Sequence, residues 1–117
     1  MQRDLDRLED ILAATGDIVT FTQTMDFDGF VRDRRDRYAI LHALTIIGEA
    51  SHQLSAELRE RHNHVPWRRI IDFRHRVVHG YSALDATLVW EVSIRLVPEL
   101  REQIERILAA EFPPEST

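Results

Sequence analysis

Apolar residues in this chain recur almost everywhere at steps of three and four, and no stretch of useful length alternates apolar and polar residues one by one. That period belongs to the α-helix, in which residues three and four apart share a face, and it leaves no material for a sheet. A first amphipathic helix is expected from about residue 2 to about 23 through Leu5, Leu8, Leu12, Thr15 and Val19, with Arg3, Asp6, Glu9 and Asp10 on the other faces. The stretch from Met25 to Val31 reads as a connector, with Phe27 and Phe30 plugging the core.

From about Arg34 to Arg61 a second stripe runs through Ile40, Leu44, Ile47, Ser51, Leu54 and Leu58, broadened by Tyr38 and Leu41. A third helix is expected after Pro66, a residue suited to a first helical turn, with Trp67, Ile70, Ile71, Arg74, Val77, Val78 and Tyr81 in helical register until Gly80 lets the chain turn. Asp85 is placed to cap a fourth helix carrying Leu88, Val89, Val92 and Leu96, and the period resumes at Leu100, Ile104, Ile107 and Leu108 behind a break or kink at Pro98. The expected product is an all-α fold: an antiparallel bundle of four helices, or five if Pro98 divides the last. It forms a single domain over residues 1–112, with a frayed tail over 113–117.

A chain of 117 residues buries a modest core, so a partner that covers apolar surface would add stability, and oligomerisation is expected. All 15 basic residues are arginine and there is no cysteine, which rules out disulfide and thiolate chemistry. A net charge of −5 argues against a general DNA-coating protein, although it leaves room for a small basic site. With no signal peptide and no apolar run long enough for a membrane span, a cytoplasmic protein without a membrane partner is expected.

The densest chemical signal is the run Asp72-Phe73-Arg74-His75-Arg76-Val77-Val78-His79-Gly80-Tyr81. Arg74 interrupts an apolar stripe, where a guanidinium is costly unless an anion meets it. Two partners are open: Glu49 or another acid of the bundle, or a phosphate reached through a cleft or subunit boundary. The same ambiguity attends Gly48-Glu49-Ala50, where Gly48 marks a close helix crossing with Glu49 solvated beside it, or Glu49 turns inward to hold an arginine. His79 follows Arg74 by five residues, about 140° around a helix, so the two side chains do not converge on one face; His75 is better placed to neighbour His79. A histidine that moves a proton beside an arginine that stabilises phosphoryl charge suits RNA cleavage by its own 2′-hydroxyl. Arg34, in the run Arg32 to Arg37 with Asp33 and Asp36 interleaved, reads as a solvated helix start or as the edge of an RNA-binding cleft or a partner-facing surface.

Arg74, His75, His79, Gly80 and Tyr81, together with Gly48-Glu49-Ala50, Val65-Pro66-Trp67, Leu88-Val89-Trp90-Glu91 and Pro98-Glu99-Leu100, carry a resemblance that spans nearly the whole chain. The chain resembles the HepT-like (DUF86) branch of the HEPN superfamily, the toxin half of type VII HepT/MntA toxin–antitoxin systems. The family pattern is arginine, a polar residue, three variable residues, histidine, any residue, tyrosine; His75 stands where asparagine is commonest. The resemblance implies a HEPN-type bundle that forms a homodimer with the arginine and histidine pairs facing one cleft. It further implies a metal-independent ribonuclease with Arg74, His79 and His75 as catalytic residues. An MNT-type nucleotidyltransferase antitoxin would neutralise it by binding or by transferring AMP to Tyr81.

Arg76, Glu49 and Arg34 are the candidate RNA-contacting residues of such a site. His42 and His52 read as packed or surface residues, Trp67 and Trp90 as packing anchors. The cluster of His62, Asn63 and His64 lacks zinc-ligand spacing, so neither metal nor other cofactor is expected. Two readings compete with the enzyme: a non-catalytic nucleotide- or RNA-binding partner of a nucleotidyltransferase, and a purely structural pairing of Arg74 with Glu49.

Overall fold

The computed structural model describes residues 2–80 and 85–114, and all of their regular structure is helical. Helix α1 spans Gln2–Gln23, α2 Phe27–Arg32, α3 Arg34–Gln53, α4 Ala56–Arg61, α5 Trp67–Gly80 and α6 Ala86–Glu91; a π-helical turn at Val92–Leu96 joins α6 to α7, Val97–Glu111. Helix α3 lies between α1 and α5, and α1 also packs on α7, so four antiparallel rods make the expected bundle. Its extents of 49 × 29 × 20 Å make it about two helices deep.

The core stripe of α1 is rotated from the one expected. Leu8, Ile11, Thr15 and Ile18 are fully buried, while Leu5, Leu12 and Val19 flank them. The rotation follows from the sandwiching of α1 between α3 and α7, which favours the centre of a wide apolar face. On α3, Ile40, Leu44, Ile47 and Ser51 are buried as expected, but Tyr38 is 56% exposed and takes no part in the core.

Three further features depart from the sequence reading, each through a polar contact. The connector forms α2, capped by the Asp26 carboxylate, which accepts from the Gly29 N–H at 2.8 Å; Phe30 is buried beneath it against Trp90, with ring centroids 5.5 Å apart. The long second helix breaks at Leu54 and Ser55. There Asp4 of α1, only 5% exposed, accepts hydrogen bonds from the Ser55 N–H at 2.9 Å and the Ser55 hydroxyl at 2.7 Å, while Ser55 Oγ accepts from the Leu58 N–H. A buried carboxylate needs such donors, and satisfying it ends α3 and caps α4.

Pro98 neither breaks nor divides the last rod. The Val97 N–H donates to the Val92 carbonyl, five residues back, and the extra residue of this π turn lets Pro98 enter the first turn of α7, where it needs no N–H. The expected cap at Asp85 is present, its carboxylate accepting from the Thr87 N–H at 2.9 Å. The far end of α7 is tied to α4 by Glu111, which accepts from Arg61 and shares a 2.8 Å contact with His62; these two hydrogen bonds hold its carboxyl down at about 2.

The α3–α5 crossing is set by a single glycine, Gly48. A methyl group at position 48 would overlap the Cβ of Arg74 and lie 2.5 Å from its Cγ and 3.3 Å from its Cα, atoms that cannot move without moving α5. Gly16, in α1, would meet nothing nearer than Arg101 Nε at 3.9 Å. Gly48→Ala is therefore expected to destabilise the fold by about 1–3 kcal/mol despite its helix propensity, whereas Gly16→Ala stabilises it by about 0.5–1 kcal/mol. Urea denaturation of the two variants checks the opposite signs.

Candidate active site

Helix α5 has one face sunk against α3 and two flanks. Trp67, Ile70 and Val77 anchor the sunk face, and Trp67 also donates its indole N–H to the His62 carbonyl at 3.1 Å, which fixes the entry of α5. Arg74 lies in the middle of this apolar face, directly over Gly48. Its stem is packed between the helices and its side chain is 31% exposed, so the guanidinium surfaces at the edge of the crossing.

Of the two readings of Gly48-Glu49, the close crossing with a solvated Glu49 is the one seen, and Glu49 does not turn inward. Gly48 is the close crossing, and Glu49 Oε2 stands 3.7 Å from Arg74 Nη2. That separation exceeds a hydrogen bond, and the Glu49 side chain is 53% exposed, so the pair is a loose ionic contact in water. Arg74 Nε is buried and has no hydrogen-bond partner among the described residues. Glu49 thus partly offsets the charge of Arg74 without satisfying its donors.

His75 is exposed on the flank of α5 next to Arg74. The helix stays regular as far as Gly80, so position 79 falls one turn beyond position 75 on the same flank, and about 140° from position 74. The side chain of His79 and the whole of Tyr81 lie outside the described residues. Arg76 is on the opposite flank, where it lines a largely apolar groove of about 490 Å³ with Phe73 and with Leu88, Val92 and Leu96 of the last rod. Leu88, Val92 and Leu96, expected on a buried face, are only half-buried there. Arg34 is not brought to Arg74: it lies fifteen residues before Glu49 on α3, about 22 Å along the axis, and lines a separate polar hollow with Phe21 and Asp26.

Two arginines not singled out from the sequence stand on the His75 flank. Arg59 of α4 and Arg68 of α5 line a hollow of about 670 Å³ with His52, Glu60 and Asp72. The signal for Arg68 was present, since positions 68, 72, 75 and 79 repeat at helical steps; Arg59 is brought in only by the break at Ser55. Among the described residues no group of three or more histidines and acids is placed to hold a metal ion, and no helix is long and apolar enough to cross a membrane.

The model of the HepT-like family, described as "Ribonuclease HepT-like", matches residues 11–107. The chain belongs to the HepT-like family. "Putative RNase MJ1380" of Methanocaldococcus jannaschii is 35% identical to this HepT-like chain over 98 residues, 84% of this chain and 90% of that protein. "Putative RNase TTE0752" of Caldanaerobacter subterraneus is 35% identical over 104 residues, covering 89% and 93% of the two chains. "Probable ribonuclease HepT" of Thermococcus cleftensis is 32% identical over 102 residues, covering 87% and 93%. No solved structure matches the chain.

The looseness of the ion pair in this HepT-like chain has a measurable consequence. Glu49→Gln should change the unfolding free energy by less than about 0.5 kcal/mol, as for other exposed pairs. A loss several times larger in denaturant titration would make the pair a structural cross-link of α3 to α5.

Proposed function

We propose that this chain is a metal-independent endoribonuclease, the toxin of a HepT/MntA-type pair, with its site completed at a homodimer cleft. The observation that carries the reading is Arg74: a guanidinium at the edge of an apolar helix crossing, with a buried unpartnered Nε and only a loose acid beside it, in a chain of the HepT-like family. Such a group gains most from an anion that arrives with a substrate.

In the proposed reaction a histidine takes the proton of an RNA 2′-hydroxyl, the oxygen attacks the adjacent phosphorus, and the bond to the 5′-oxygen breaks as that oxygen is protonated. The products are a 2′,3′-cyclic phosphate and a 5′-hydroxyl, so no water, metal or redox partner is consumed. His79 is assigned proton transfer and His75 a supporting or second proton-relay role; Arg74 stabilises the charge on the non-bridging oxygens. Arg76, Glu49 and Arg34 are secondary candidates for RNA contact, Arg34 through the partner subunit or a long substrate. The angular separation of positions 74 and 79 on one helix supports a second copy, and the groove beside Phe73, Leu88, Val92 and Leu96 supplies apolar surface for it to cover.

Cleavage of a defined single-stranded RNA by the purified protein tests this directly. Activity should persist in chelator and fall about 10²-fold or more in Arg74→Ala and in His79→Ala, each checked for an intact melting transition. Full activity in His79→Ala overturns the assignment, and loss in chelator with recovery in magnesium overturns the metal-independent mechanism.

Control by an MNT-type nucleotidyltransferase is proposed to act through binding or through AMP transfer from ATP to the Tyr81 hydroxyl, with release of pyrophosphate. The added phosphodiester charge would compete with RNA phosphate for arginine. Intact-mass measurement with the cognate enzyme and ATP should show AMP increments on wild type and none on Tyr81→Phe; equal labelling of both excludes Tyr81.

A further inference from the structure

In a chain where 20 acids outnumber 15 arginines, arginines that meet no acid are informative. Two adjoining hollows at the end where α1 and α5 begin and α3 ends share His52 as a common wall. The smaller, about 400 Å³, is lined by Arg3, Arg7 and Gln53. The larger, about 670 Å³, opens between α4 and α5 and contains Arg59 and Arg68. Neither of these two guanidinium groups makes an ion pair or hydrogen bond with another described residue, and Arg59 Nε is buried without a partner. Glu60 and Asp72 line the same hollow without pairing to either arginine, and Arg7 meets Asp10 only at 3.6 Å.

The hollow continues into the candidate active site along one strip of α5. Positions 68, 72, 75 and 79 follow at steps of four, three and four, so Arg68 precedes His75 on the same flank by about 10 Å of helix. The surface is concave, with arginines spaced along it between Glu60 and Asp72, and this fits one flexible strand better than a duplex.

We infer that these two hollows are the track along which a single RNA strand reaches the active site, with Arg59 and Arg68 each holding a backbone phosphate away from the scissile bond. This rests on the ribonuclease reading and names the substrate form and its path. Glu60 and Asp72 lower the affinity for polyanions at large and offer acceptors to base amino groups, so the track is not an indiscriminate phosphate sink.

The test is binding of a fluorescent single-stranded RNA by the full chain, followed by anisotropy over a range of salt concentrations. Wild type, Arg59→Gln, Arg68→Gln and the charge-matched control Arg95→Gln are compared, Arg95 being paired with Glu91 and lining neither hollow. Arg59→Gln and Arg68→Gln should each weaken binding about five- to tenfold and lower the slope of log affinity against log salt by about 0.7, while the control changes neither. Arg68 is exposed, so its variant remains informative if Arg59→Gln folds poorly.

Unchanged affinity and slope in Arg68→Gln overturn the track, whatever the fate of the ribonuclease reading. Capture of the nucleotidyltransferase lost in these variants with RNA binding intact reassigns the surface to that protein and overturns the track as well. Equal or tighter binding of duplex RNA overturns the single-strand assignment. Binding that follows the expected pattern in a wild type that cleaves no RNA keeps the track and removes the enzyme. A wild type that binds no RNA removes both.

Discussion

The packing of Gly48 against the stem of Arg74 is the contact on which the rest of the site depends. Because position 48 has no side chain, α5 can sit close enough to α3 for an arginine to occupy the centre of an apolar face, with its stem buried and its guanidinium at the edge. A larger residue at 48 would push α5 away, and Arg74 would become an ordinary solvated surface cation. The crossing therefore does two jobs at once: it closes the α3–α5 layer, and it holds a charge where water hydrates it poorly.

That placement keeps an arginine at the edge of a packed crossing in a small acidic chain. Glu49 is near enough to moderate the charge of Arg74 but stands beyond hydrogen-bond distance, so donors remain for an incoming anion. The same layer brings Arg59 and Arg68 to the flank that carries His75, and Arg76 to the other, so α5 divides a polar face from an apolar groove. One face suits a nucleic acid strand and the other a protein surface.

Much of this was legible in the sequence wherever the cause is local. Apolar steps of three and four located the four rods, Asp85 announced its own cap, and an arginine within the stripe of Trp67, Ile71 and Val78 marked the residue that packs on Gly48 at the α3–α5 crossing. Features that depend on distant partners were not legible. The break at Ser55 requires Asp4, 51 positions away in the chain, and without it Leu54 and Leu58 simply continue the stripe of α3. Pro98 looked like a break because a proline's neighbours reveal nothing of a π turn that makes room for it. Arg59 joins Arg68 only once α4 has turned away from α3.

In the proposed dimer cleft, Arg74 of one subunit would work with His79 of the other, since five residues on a regular helix turn the two positions apart. Co-refolding Arg74→Ala with His79→Ala protein and measuring RNA cleavage tests it most directly. Random assortment makes half of the dimers mixed, and each mixed dimer would hold one intact Arg74–His79 pair, so the account predicts recovery of about a quarter of wild-type activity from two inactive parents. If the mixture stays as inactive as its parents while forming mixed dimers, each site lies within one subunit and the account is wrong.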